Sequence, residues 1–207
     1  MLSSLRRPRQ RKATPVTLQA RSALGHEFGR RIPLGPLGIP DVTVCERTDF
    51  GCLMLSSCVD DSAVIGRLEA SVGCSLPRAS GAVVVEGAYT GIWLTPRSWL
   101  LLCPLEQEFA LVDGVGLAFP ERMAHASPFT DFLCWFSLGG DNAENLLKQG
   151  GFISLAKGGL PVGHTRRTRI ASIPIIVSRE KSDDWLVAVE RSRARYFHNW
   201  MQNLVTT

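Results

Sequence analysis

The spacing of apolar and polar positions predicts an alternation of strands and helices along most of the chain. Short runs that alternate, or that are almost wholly apolar and bounded by turn residues, are typical of strands. Such runs predict strands at residues 42–46, 50–58, 82–85, 91–94, 99–103, 131–138, 168–179 and 185–189. The last two are expected to pair around a polar turn at 180–184.

Helices are predicted where apolar residues recur every three or four positions. Residues 60–62 open the first helix and Gly73 ends it. Asp141 and Glu144 have the spacing of a capping box at the start of another. Ser192 is the predicted cap of the last helix. The apolar faces are Ile65, Leu68 and Val72 in the first of these helices, Ala143, Leu146 and Leu147 in the second, and Phe197, Trp200, Met201 and Leu204 in the last.

Both halves of the chain follow the same order of elements, β-α-β-β-α. Asp61 and Asp141 open helices 38 and 44 residues before Trp99 and Trp185, which begin similar apolar strands. A helical pattern follows each strand, the one at 105–112 being weaker. We therefore predict an α+β fold made of two pseudo-repeated β-α-β-β-α units in one domain.

Composition and charge narrow the class of protein. The chain has 207 residues, 45% of them apolar and 20% charged, which suits one packed domain. Mean hydropathy is +0.07, and no apolar run approaches the ~20 residues of a membrane-spanning helix. Residues 1–31 hold eight basic residues against one acidic residue, whereas the remainder holds 15 against 18. A weakly acidic body argues against a nucleic-acid-binding face.

The basic excess therefore belongs to the N-terminal segment. We predict a basic, flexible leader at residues 1–18 and a folded domain at 19–207. The leader lacks the apolar stretch of a secretory signal, and it has the Arg-rich, acid-poor composition that organelle transit peptides share. A docking arm for an acidic partner and a targeting segment are both open.

The residues do not assemble into a recognisable catalytic or metal-binding motif. No cysteine pair has CxxC spacing, and no histidine pair has HExxH spacing. Gly139-Gly140 precedes a helix but lacks the rest of a phosphate-binding loop. Cys134 with His164 is a conceivable nucleophile and base, although the position of Cys134 within an apolar strand favours a core role. We therefore predict no catalytic, cofactor-binding or metal-binding residue in this chain.

Basic residues do cluster within the domain. Arg166, Arg167 and Arg169 lie close together, and Arg193 is one of three arginines at the start of the last helix. Positive charge at a helix start is disfavoured by the helix dipole, so this placement favours an external anionic partner.

Several ordered segments together resemble the gamma subunit family of heterotetrameric sarcosine oxidase. The residues that carry the resemblance are FSLGGDNAENLLKQG at 136–150, LPVGHTRRTRIASIPI at 160–175, RSRARYFHNW at 191–200, RSAL at 21–24 and WLTPRSWLLL at 93–102. The chain departs from the family pattern at 152–155 and in its longer basic leader. The resemblance covers about residues 19–204.

The resemblance implies both a fold and a role. The fold would be similar to the folate-binding module of glycine-cleavage aminomethyltransferase. The role would be a structural subunit of a cytoplasmic flavoenzyme, assembled with alpha, beta and delta subunits. That complex oxidatively demethylates sarcosine to glycine. FAD, FMN, NAD and tetrahydrofolate, the acceptor of the one-carbon unit, would reside in the other subunits.

Two alternatives stay open at this point. One is a gamma-like subunit of a related amine or imino-acid dehydrogenase acting on another N-methyl amino acid, proline or hydroxyproline. The other is a freestanding folate-binding protein of the aminomethyltransferase type. Tryptophan and arginine dominate the energetics of protein interfaces. The candidate partner interface therefore comprises Arg6, Arg7, Arg9, Arg11, Trp93, Arg166, Arg167, Arg193 and Trp200.

Overall fold

The computed structural model describes residues 20–151 and 159–204. The predicted leader at 1–18 and the divergent segment at 152–155 lie outside the described residues. The strands are β1 (Arg31–Pro33), β2 (Thr43–Arg47), β3 (Gly51–Ser57), β4 (Val83–Glu86), β5 (Tyr89–Thr95), β6 (Ser98–Cys103), β7 (Ala124–Pro128), β8 (Leu133–Gly139), β9 (His164–Ile170), β10 (Ile173–Arg179) and β11 (Asp184–Glu190). The helices are α1 (Ser62–Val72), α2 (Glu108–Ala118), α3 (Ala143–Gln149) and α4 (Ala194–Gln202).

The strands form two antiparallel sheets that pack face to face between two layers of helices. One sheet has the order β4-β5-β6-β3-β7 and the other β1-β2-β8-β11-β10-β9. Side chains alternate along each strand, so that neighbouring residues enter different cores. In β6, Trp99 and Leu101 face α1 and α2, whereas Leu100 faces the second sheet. In β8, Phe136 faces α3 and α4, whereas Trp135 faces the first sheet.

The two halves repeat the same topology, which confirms the α+β fold class. β3, β4, β5 and β6 of the first half correspond to β8, β9, β10 and β11 of the second, in the same sheet order. Trp99 and Trp185 hold equivalent positions near the start of β6 and β11, and both are buried. The strand that precedes each half pairs with the other half, because β2 joins β8 and β7 joins β3. This exchange links the two sheets.

Each unit contains one strand more than the predicted β-α-β-β-α order. The prediction of one strand at 168–179 is wrong, because the chain reverses within it and forms the β9–β10 hairpin. Ala171 and Ser172 make the turn with positive φ angles of 50° and 65°. A two-residue hairpin turn of this kind normally carries Asn or Gly, so this pair of residues gave no turn signal.

The helix termini agree only in part with the sequence. Asp61 caps α1 as predicted, accepting hydrogen bonds from the amides of Ala63 at 2.9 Å and Val64 at 3.0 Å. Gly73 ends α1 in the left-handed conformation with φ of 67°. The predicted cap at Asp141 is wrong, because Asn142 occupies the N-cap position without a side-chain capping bond.

The predicted Ser192 cap is also wrong. β11 runs directly into a 3₁₀ turn at Arg191–Arg193, and the next turn is already α4. The buried face of α4 is as predicted at Phe197 and Met201, whereas Leu204 lies beyond the helix end. The weaker pattern at 105–112 corresponds to a 3₁₀ turn followed by α2.

Candidate functional site

The residues predicted to contact partners fall in separate parts of the structure. Arg6, Arg7, Arg9 and Arg11 lie outside the described residues. Trp93 is half-buried on β5, beside Trp99 of the neighbouring strand, and packs against the core under α1 and α2. Trp200 is half-buried on the opposite side of the molecule, where its ring stacks on Phe197 at 5.5 Å between centroids. Both tryptophans therefore contribute to core packing.

The described arginines of the predicted interface are exposed. Arg166 and Arg167 are neighbours on β9, an edge strand, so they point to opposite faces of its sheet. Arg193 pairs with Glu190 at 2.9 Å between Nε and Oε2. Arg167 and Glu190 line the same cleft between the two sheets, which has a volume of about 270 Å³. The structure thus brings Arg167 and Arg193 to one region, and Arg166 to another face.

A larger groove opens beside this cleft. We name it the Phe132 groove; it has a volume of about 770 Å³ and is lined by Ser22, Ala23, Asp131, Phe132, Glu190, Arg191 and Ser192. Phe132 and Glu190 border both the groove and the cleft, so the two form one concave surface. The Phe132 ring is stacked on Phe129 with centroids 4.7 Å apart, yet Phe132 is 63% exposed. An exposed aromatic ring, stacked on a half-buried one and rimmed by charges of both signs, has the character of a protein interface.

The fold holds the turn that presents these aromatic rings. The buried carboxylate of Glu108, at the start of α2, accepts hydrogen bonds from the amides of Phe129 at 3.0 Å and Thr130 at 3.2 Å. The Thr130 hydroxyl accepts a bond from the Cys52 amide at 2.8 Å. Because these bonds are largely buried, the Phe129–Phe132 turn is fixed in place before any partner arrives.

On its other side the groove is bordered by the N-terminal segment, which is fastened to the body. Glu46 on β2 is wholly buried, and its Oε2 lies 2.5 Å from Nδ1 of His26. The Cys134 thiol donates to the other carboxylate oxygen of Glu46 at 3.4 Å. Arg191 donates to the Arg21 carbonyl and pairs with Asp131 at 2.9 Å. Residues 20–30 are therefore part of the folded domain and hold one wall of the Phe132 groove.

The cysteines are not set up for nucleophilic chemistry. Burial raises the pKa of the Cys103 thiol to about 12 and of Cys74 to about 11. Burial, followed by the nearby Glu46 carboxylate, raises the pKa of Cys134 far above its usual value. His164, the conceivable base, lies on β9, three strand spacings or about 14 Å to the side of β8. The strand registers place it level with Leu138, four residues along β8 from Cys134. The structure does not bring this pair together.

Among the described residues, no three His, Cys, Asp or Glu side chains are arranged to hold a metal ion. No helix in the described part of the chain has the length and apolar character needed to cross a membrane.

Sequence analysis did not single out Glu46 or Phe132, although each departs from the pattern of its surroundings. Glu46 stands in phase with Val42 and Val44 in a predicted strand, which places a carboxylate on the buried face. Phe132 was expected within a strand, whereas β8 begins at Leu133 and leaves Phe132 in the preceding turn. A charge on a buried face and an aromatic residue in a turn are both departures from the simple pattern.

Two solved structures have similar folds. A chain of the heterotetrameric sarcosine oxidase from Corynebacterium sp. U-96, in complex with pyrrole 2-carboxylate, has a TM-score of 0.71 at 22% identity. The match covers 83% of this chain and 86% of that chain. Glycine cleavage system aminomethyltransferase T from Bartonella henselae has a TM-score of 0.59 at 9% identity over 80% of this chain. The match covers 46% of the aminomethyltransferase chain, so our chain spans less than half of that protein.

Sequence comparison identifies the family. No curated protein sequence matches the chain. Residues 57–206, however, match the profile of the sarcosine oxidase, gamma subunit family. The resemblance inferred from the ordered segments is thereby confirmed, and the chain belongs to the sarcosine oxidase gamma subunit family.

Proposed function

We propose that this chain is the structural gamma subunit of a heterotetrameric oxidase, assembled with alpha, beta and delta subunits in the cytoplasm. The observation that carries the proposal is the family match over residues 57–206. The similar fold of a chain from a heterotetrameric sarcosine oxidase supports it.

The arrangement of ionisable groups supports a structural role for the chain itself. Glu46 fastens the N-terminal segment through His26, and Glu108 holds the amides of Phe129 and Thr130. Both buried carboxylates are thus engaged by groups of the fold, Glu46 by the side chains of His26 and Cys134 and Glu108 by backbone amides. In the proposed complex the other subunits hold FAD, FMN, NAD and tetrahydrofolate, and they oxidatively demethylate sarcosine to glycine.

The Phe132 groove is the proposed contact for a neighbouring subunit. An exposed Phe132 with Arg191 and Arg193 nearby combines the aromatic and guanidinium groups that dominate interface energetics. The rim also carries Asp131 and Glu190, which favours a partner surface with both hydrogen-bond donors and apolar atoms.

The decisive experiment is co-expression with alpha, beta and delta subunits of a sarcosine oxidase. A tagged full-length chain should retain the other three subunits in fixed proportion, and the complex should oxidise sarcosine. The chain purified alone should show neither flavin absorbance nor oxidase activity. Flavin bound by the lone chain, or failure to retain any subunit, would contradict the proposal. A complex that oxidises proline but not sarcosine would instead favour the imino-acid alternative.

The aminomethyltransferase-like fold favours one second candidate, folate binding by this chain alone. Calorimetric titration of the isolated chain with tetrahydrofolate separates the two. We expect no saturable heat at micromolar concentrations, because the buried carboxylates of Glu46 and Glu108 are already engaged by groups of the fold. Micromolar binding would favour the folate-binding alternative.

A further inference from the structure

Helix α2 is unusual among the helices because it carries apolar residues on both faces. Its inner face packs Val115 into the core, while Phe109 is 69% and Leu117 84% exposed on the outside. The exposed Asp113 lies one turn from each of them, so the outer face of α2 presents two large apolar side chains around one carboxylate. A mixed face of this kind, beside a groove, fits an interface with another chain.

A groove runs between this exposed face and strand β7. It has a volume of about 760 Å³, and its floor is made of small or apolar residues, among them Gly116, Phe119, Ala124 and Ala126. Asp113, Arg122 and His125 add polar groups to the lining. An apolar floor with polar groups around it is the usual anatomy of an interface.

The groove ends at an open sheet edge. β7 is the last strand of its sheet, and no strand in the described ranges pairs with its outer side. The Cys58 amide donates to the Met123 carbonyl, and the Phe129 amide donates to the Cys52 carbonyl. Met123 and Phe129 therefore direct these backbone groups toward β3. By the alternation of an antiparallel ladder, Ala124 and Ala126 direct their amides and carbonyls outward. These groups can accept an added strand.

In the second half of the chain, the strand and helix that correspond to β7 and α2 are covered by another segment of the same chain. The counterpart of β7 is β2, and its outer edge is paired with β1 through Ile32 and Glu46. Beyond β1 the chain continues across the core with Leu34 and Ile39, and the Gly38 amide donates to the Met201 carbonyl of α4. One extended aliphatic segment therefore covers both the strand edge and the helix of the second half. In the first half α2 leads to β7 through only five residues, 119–123, which leaves no such segment.

We propose that the groove between α2 and β7 binds an extended aliphatic segment of another subunit, which adds an antiparallel strand to β7 and covers Phe109 and Leu117. The inference rests on the proposed role as an oxidase subunit and identifies a second contact surface for it. The occupant resembles residues 31–39 in chemistry: a short extended stretch with aliphatic side chains. Pro128 lacks an amide hydrogen, so the added strand pairs only with the four residues before it.

Hydrogen exchange on the full-length chain tests the proposal, alone and within the co-purified complex. The amides of Ala124 and Ala126 should exchange at least about tenfold more slowly in the complex. Leu117→Glu and Ala126→Pro should each weaken assembly by about tenfold, through charge in the groove and loss of an outward amide. Val85→Glu is the matched control, since Val85 is 69% exposed on β4 at the opposite edge of the same sheet.

The outcomes separate this inference from the function on which it rests. If the complex assembles but these amides stay unprotected and Leu117→Glu has no effect, the inference is overturned and the oxidase role stands. If the tagged chain retains no other subunit on co-expression, the proposed strand addition at β7 and the proposed role as an oxidase subunit are both overturned. Protection of the same amides in the isolated chain assigns the groove to another part of this chain. Protection that appears only with rising concentration of the isolated chain assigns it to a second copy. Either result overturns the proposal of a different subunit.

Discussion

At the scale of single residues, Glu46 shows how a buried carboxylate can organise the N-terminal segment. It is 0% exposed, and its two oxygens contact His26 and Cys134. Removing the hydrogen-bond partner of a buried polar group leaves that group unsatisfied and costs its desolvation. Glu46 and Arg191 together therefore hold the N-terminal wall of the Phe132 groove.

Glu46→Gln should lower the free energy of unfolding by about 1–3 kcal/mol, because the amide preserves shape but loses the charge-assisted bond. Urea denaturation of the isolated chain measures this loss. Glu27→Gln is the control, since Glu27 pairs with Arg30 at 3.4 Å on the open surface and should have little effect. Equal stability of the two variants would contradict the role assigned to Glu46.

His198 predicts a pH dependence of stability. Burial lowers the pKa of His198 below its usual 6.5, outweighing the opposing influence of the Glu46 carboxylate. The unfolded chain therefore binds more protons than the folded chain just below pH 6.5, and stability falls as the pH drops through that region. Because one proton is involved, the free energy of unfolding cannot change by more than about 1.4 kcal/mol per pH unit.

His198→Gln should flatten this slope between pH 7.5 and 5.5, as measured by denaturation midpoints at each pH. A wild-type stability that rises as the pH falls through this range would show that the sign is wrong.

At the scale of elements, two aspartates with similar sequence contexts behave differently. Asp61 caps α1 with two amide bonds, whereas Asp141 lies before the N-cap residue of α3. Asp61→Ala should therefore cost about 1 kcal/mol of stability, and Asp141→Ala clearly less. Thermal unfolding of the two variants provides the comparison. An equal loss would mean that Asp141 caps α3 after all.

The β9–β10 hairpin offers a stabilising substitution. Ser172 has φ of 65°, a conformation that costs a residue with a Cβ more than it costs glycine. Ser172→Gly should raise the free energy of unfolding by up to about 1 kcal/mol. Ala110→Gly on the exposed side of α2 should lower it by a similar amount, because glycine there only loses helix propensity. Destabilisation by Ser172→Gly would contradict the assigned turn.

These elements also show how far the sequence predicts the structure. Periodicity identified α1 and the buried face of α4, because apolar spacing reflects which side of an element is buried. It missed the hairpin at Ala171-Ser172, where tertiary pairing imposes a turn that these residues do not favour alone. It also missed the Phe132 groove, which is assembled from residues 22–23, 131–132 and 190–192. Distant segments meet only through the fold, so no local pattern reveals such a surface.

At the scale of the whole molecule, the duplicated topology explains why the chain suits an assembly role. The exchange of β2 and β7 between halves ties both sheets into one body. One half is completed by the chain's own residues 31–39, whereas no strand among residues 20–151 and 159–204 covers the outer edge of β7 beside α2. The Phe129–Phe132 turn directly follows β7, so the chain runs from the α2–β7 groove to the Phe132 groove within a few residues. These two surfaces are the expected contacts with other subunits.

Native mass spectrometry of the co-expressed oxidase tests the central claim most directly. The account predicts a single heterotetramer that contains one copy of this 22.7 kDa chain with one alpha, one beta and one delta subunit. A stable complex of the other three subunits, with this chain observed only as a separate 22.7 kDa species, would contradict it.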